Sequence, residues 1–153
     1  MDPTRLSVTM DELPGLAGRE FGPSEWRTVT QEDVNTFADV TGDRNPVHLD
    51  PDFAARTPFG TTIVHGYLTL SLVVPLMAEV FEVTDLGVGI NYGLNKLRFP
   101  APVPVGSRIR VKGSVTAVTE VPGGFQVESA VTFEVEGQEK PACVAELVVR
   151  YYR

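Results

Sequence analysis

The sequence predicts an α+β fold in which one antiparallel sheet curves around a single long helix. Two features carry that expectation. From Gly87 onward apolar and polar residues alternate in four blocks, 87–99, 107–120, 125–137 and 142–152, separated by segments rich in proline and glycine. Ahead of them the stretch 63–81, IVHGYLTLSLVVPLMAEVF, is apolar on nearly every face, and a helix of that kind has to be enclosed by the rest of the chain.

In chain order, residues 26–28 read as a short strand. Thr30, with Asp33 three positions on, reads as a capping box, and Val34, Phe37, Ala38 and Thr41 follow at helical spacing. Gly42 stops that helix, because glycine adopts the left-handed conformation of a C-terminal cap without strain. Asp50-Pro51-Asp52 then supplies a cap and a first-turn proline for one or two helical turns over 51–56. The 63–81 stretch has the length of four to five helical turns, with a bend expected at Pro75, which lacks an N–H. The four alternating blocks follow as strands, with short connections that make neighbours antiparallel.

The 153 residues fit one domain, 1–153, of a size that buries a core without disulfides. The first fifteen residues lack the basic start and apolar stretch of a secretory signal, and the single cysteine, Cys143, forms no intrachain disulfide. Both point to a soluble, cytoplasmic protein with no membrane partner. Cys143 falls in an alternating block and reads as a core residue. A net charge of −7 argues against a nucleic-acid partner. Lys96, Arg98, Arg108, Arg110 and Lys112 form the one basic concentration, readable as a patch for an anionic ligand or as solvated strand faces.

The chemistry concentrates in residues 37–54, FADVTGDRNPVHLDPDFA. There Asp43, Asn45, Pro46 and His48 place a carboxylate and an imidazole five positions apart around a proline-stiffened turn. Asn45 and Pro46 read as residues that fix the loop, through a side-chain-to-backbone bond and a rigid φ. A metal site is not expected. A calcium loop needs an oxygen ligand at Val47, glycine at His48 and glutamate at Ala54, and zinc wants more than two histidines and one cysteine. No glycine-rich nucleotide loop is present either.

Phe37, Thr41, Gly42, Asp43, Asn45, Pro46, Val47, His48 and Ala54 together resemble the signature of the MaoC-like, or R-specific enoyl-CoA hydratase, family. FGTTIVHG (59–66) and RFPAPVPVGSRI (98–109) extend the resemblance over most of residues 25–151. It implies the hot-dog fold, a homodimer, and reversible hydration of a trans-2-enoyl-CoA to the R-3-hydroxyacyl-CoA. No separate cofactor is implied, since coenzyme A is part of the substrate. Asp43 and His48 become the acid-base pair on one water. The backbone N–H of Gly66, near the start of the buried helix, becomes the donor to the thioester oxygen. The acyl chain would lie along the apolar face of the 63–81 helix. One departure stands out: Val74 occupies the place where some relatives carry a serine. His65 reads as a helix-start histidine whose ring bonds a backbone carbonyl. Two other functions fit a hot-dog domain: an acyl-CoA thioesterase, and a non-catalytic acyl-CoA-binding regulatory module. The intact Asp-x-Asn-Pro-x-His loop counts against both.

Overall fold

The computed structural model describes residues 5–153. In chain order they form β1 (Leu6–Val8), a 3-10 helix (Met10–Gly15), β2 (Glu20–Phe21), β3 (Arg27–Thr28), α1 (Gln31–Thr41), α2 (Pro46–Leu49), α3 (Pro51–Ala55), α4 (Gly66–Ser71) and α5 (Val73–Ala78). The strands β4 (Phe81–Val83), β5 (Val88–Arg98), β6 (Arg108–Val121), β7 (Gly124–Val135) and β8 (Cys143–Tyr152) complete the chain. No helix among the described residues is long and apolar enough to cross a membrane.

The three helices before the long apolar stretch are set by their caps. Thr30 Oγ1 accepts from Asp33 N–H at 3.1 Å, and Asp33 Oδ2 accepts from Thr30 N–H at 2.9 Å, closing the box that starts α1. Gly42 ends it at φ 77°, its N–H donating to Ala38 O. Asn45 Oδ1 accepts from Val47 N–H at 3.2 Å and Pro46 opens α2. Asp50 Oδ1 accepts from Asp52 and Phe53 N–H, and Pro51 opens α3. Each helix thus satisfies first-turn amides that have no partner inside it.

The sheet runs β2-β6-β7-β8-β5, with β3 also on β6, and all its pairings are antiparallel. Sequence neighbours pair in β6-β7 and β7-β8. The expected β5-β6 neighbour pair does not form; β5 crosses to the far side and pairs with β8. Pro100, Pro102 and Pro104 in the connection remove three ladder donors, so no hairpin can grow there. That connection instead bonds the segment before α4: Val64 N–H donates to Val103 O at 2.8 Å and Val105 N–H to Thr62 O at 2.9 Å. β1 and β4 form a separate parallel pair.

The helical stretch differs from the sequence expectation in two ways. It is two short helices meeting at Leu72, and Phe81–Val83 is a strand. Pro75 explains the break, since it cannot donate to Ser71 O, the acceptor one turn back. The stretch is also not enclosed all round. Thr69, Leu72, Val73 and Leu76 are buried against the sheet, but Tyr67 is 68% and Val74 55% exposed. The core beneath is built by Ile109, Val111 and Val115 of β6, Val131 and Phe133 of β7, and Cys143 of β8, closed at the N-terminal side by Met10 and Leu13.

Candidate active site

The Gly42 cap hands the chain directly to Asp43. Asp43 N–H donates to Thr41 Oγ1 and Asp43 Oδ1 accepts from Asn45 N–H, each at 3.3 Å, a local turn that leaves Oδ2 uncommitted. The side chain is about half exposed, at 51%.

His48 sits in the single turn of α2, held from two sides. Ile63 N–H donates to Val47 O at 3.1 Å, and Gln31 Nε2 donates to His48 O at 2.8 Å. Gln31 Oε1 in turn accepts from the Thr62 hydroxyl at 2.9 Å. Its ring Nδ1 lies 2.7 Å from Ile63 O. A carbonyl only accepts, so Nδ1 carries the hydrogen and the neutral ring presents its lone pair at Nε2. That is the form of imidazole able to take a proton.

His65 bonds a carbonyl, as its position at the helix start suggests: Nε2 lies 2.9 Å from Asp43 O and 4.0 Å from Asp43 Oδ2. Its ring is buried, stacked on His48 with centroids 3.9 Å apart and tilted against Phe37 at 4.8 Å. One carboxylate oxygen of Asp43 and one nitrogen from each imidazole lie within 4.8 Å of one another. One nitrogen of each ring is engaged with a backbone carbonyl, and the two rings stack face to face at 28°.

Gly66 is the first residue of α4, so its N–H belongs to the turn whose amides have no partner within the helix. A Cβ there would come within 3.1–3.2 Å of the Phe99 ring. Gly66, His48 and Phe99 form the rim shared by two spaces. One is a recess of about 260 Å³ over Asp43 and His65; the other is a cavity of about 400 Å³ running past Phe59, Ile63 and Thr69. That cavity is walled by the start of α4 and the 99–103 connection, not by the length of the helix as the sequence suggested. Val74 lines a different space, of about 250 Å³, between α5 and strands β5 and β8.

Of the basic residues, Arg108 pairs with Glu136, and Arg110 and Lys112 both pair with Glu134 at 2.6 Å. Their cations hold the Glu134 carboxyl below its usual range, the Lys112 bond contributing most. These three are cross-strand ion pairs, leaving Lys96 and Arg98 as candidates for an anionic ligand. Sequence reasoning missed Gln31, Thr69 and Phe99. No local pattern marks them, because each reaches the site through tertiary contact.

The family model described as "MaoC like domain" matches residues 13–137. The chain belongs to the MaoC-like domain family. Within that family it is 52% identical over 148 residues to the 3-hydroxyacyl-thioester dehydratase Z of Mycobacterium tuberculosis, covering 96% of this chain and 98% of that one. It is 41% identical over 102 residues to the (R)-specific enoyl-CoA hydratase of Aeromonas caviae, 67% of each chain. The solved (R)-hydratase from A. caviae superimposes with a TM-score of 0.71 at 31% identity, over 87% of this chain and 94% of that one. The MaoC-like chain therefore has the hot-dog fold, its sheet wrapped around the helical segments α4 and α5.

Proposed function

We propose that the protein reversibly hydrates a trans-2-enoyl-CoA to the R-3-hydroxyacyl-CoA, with Asp43 and His48 acting on one water. That the chain is an enzyme of the hydratase and dehydratase kind rests on its family membership and on its identity to named dehydratases and hydratases. The observation that carries the assignment to residues is the recess shared by Asp43 and His48, whose ligating atoms lie within 4.8 Å of each other, with His48 also bordering the apolar cavity.

In this reading the acyl chain enters the cavity beside Phe99, and the thioester oxygen accepts from Gly66 N–H. Water, held by an Asp43 carboxylate oxygen, gives a proton to His48 Nε2 as its oxygen bonds to C3. The π electrons of the double bond move toward the thioester oxygen, where the Gly66 amide stabilises the developing charge. The proton then goes to C2, and the pair returns to its starting state. Dehydration runs the same steps backward. No cofactor is needed, since coenzyme A arrives as part of the substrate.

We read the functional unit as a homodimer formed along β5. That strand is paired only on its β8 side among the described residues, and Val88, Ile90, Tyr92 and Leu94 stand 40–57% exposed along it. A long apolar sheet edge calls for a cover, which a second copy supplies. The single buried thiol agrees with a cytoplasmic setting.

The test follows loss of enoyl-thioester absorbance with crotonyl-CoA and longer enoyl-CoA esters, alongside chiral analysis of the product. Appearance of the R-3-hydroxyacyl ester supports the reading. Release of free thiol would replace it with a thioesterase, and binding without turnover would replace it with a non-catalytic module.

A further inference from the structure

His65 is a buried titratable side chain that the proposed chemistry leaves unused. Its Nε2 faces Asp43 O at 2.9 Å, so that nitrogen carries the hydrogen and donates it. The neutral ring then has a lone pair on Nδ1, and Nδ1 is buried without a hydrogen-bond partner. One helical turn on, Thr69 is 1% exposed, and its hydroxyl oxygen is also buried without a partner. Thr69 N–H donates to His65 O at 3.1 Å, which sets the two residues in successive turns of one helix face. No hydrogen bond joins the Thr69 hydroxyl to His65 Nδ1, so the ring is held by the Asp43 carbonyl and by its aromatic neighbours.

Local ties at Asp43 are long, 3.3 Å for both its amide and its carboxylate, whereas the 2.9 Å bond from His65 arrives from another element. Packing between Phe37 and His48 keeps the His65 ring from turning. We propose that His65 is a positioning residue for Asp43, its Nε2 N–H donating to Asp43 O so that it sets the Asp43 loop against His48. The inference deepens the Asp43–His48 assignment and rests on it.

The test combines turnover of crotonyl-CoA with nitrogen-15 NMR of the histidine rings. His65→Leu lowers kcat about 10- to 100-fold with KM held within about twofold, the signature of a misplaced reacting group. His65→Gln, which keeps an N–H donor, recovers part of that loss. In the unaltered protein His65 is protonated at Nε2. Protonation at Nδ1, or a folded His65→Leu with unaltered kcat, would each overturn the proposal. The ring measurement needs no turnover, so it decides the matter even if His65→Leu does not fold. Failure of the underlying assignment shows separately, as activity that survives Asp43→Asn.

Discussion

His48 and His65 lie face to face, ring centroids 3.9 Å apart and 28° from parallel, and each hangs from a backbone carbonyl. His48 Nδ1 bonds Ile63 O, whereas His65 Nε2 bonds Asp43 O. The opposite ring nitrogens are therefore protonated in the two residues. His48 is left with a basic nitrogen and His65 with a donor on the loop that carries the carboxylate.

Gly66 should not tolerate a methyl group. Its backbone is ordinary helix, so Gly66→Ala folds, but the new Cβ meets the Phe99 ring at 3.1–3.2 Å, at the rim where both residues line the cavity. The expected result is a fall in kcat/KM of about tenfold or more with crotonyl-CoA, on the scale of a small misplacement at a reacting centre. Adding Phe99→Leu should restore part of the loss. Steady-state kinetics on the single and double variants check this, and equal activity in Gly66→Ala would contradict it.

Asn45 links stability to activity. Asn45→Ala removes the side-chain acceptor for Val47 N–H at the start of α2, a loss of about 1 kcal/mol by the usual value of such caps. Because His48 is the third residue of that four-residue helix, kcat should fall with the melting temperature. Asn45→Asp keeps the acceptor and should preserve both. Thermal melts read beside turnover separate the two effects.

Cys143 should behave as core, not as a reactive thiol. Burial pushes its pKa from 9.0 up to about 11, so the neutral thiol is the form the fold accepts. A group whose pKa is raised by folding contributes stability that is complete below its unfolded value and lost as pH rises through the folded one. Stability should therefore decline between about pH 9 and pH 11, and Cys143→Ala should flatten part of that decline. At pH 8 the rate of thiol labelling should track unfolding in urea. Rapid labelling of the folded protein would contradict this.

The parts of the fold readable in the sequence are those set by neighbouring residues. Thr30 and Asp33, Gly42, Asn45, and Asp50 with Pro51 each act on amides within a few positions, so α1, α3 and the Asp43 loop could be drawn directly, while the single turn of α2 reads only as part of that loop. Alternation likewise marks β6 to β8, because each buries one side in the core, whereas β5 carries a similar pattern but stays exposed along almost its whole length. What escaped is what depends on distant partners. Nothing local says that β5 pairs with β8, that Phe99 packs against Gly66, or that Gln31 and Thr62 brace the turn carrying His48. β1 and β2 escaped for a different reason: strands of two or three residues are too short to show a period.

The central claim is that Asp43 and His48 act together on one water. Turnover of crotonyl-CoA should be measured for the unaltered protein, Asp43→Asn and His48→Gln, with circular dichroism confirming that each is folded. Each substitution should lower kcat by about 10²- to 10⁴-fold, the usual contribution of one positioned proton-transfer group. The double variant should lose little more than the worse single one, as groups acting as a unit do. A folded Asp43→Asn or His48→Gln that retains the unaltered rate would contradict the account.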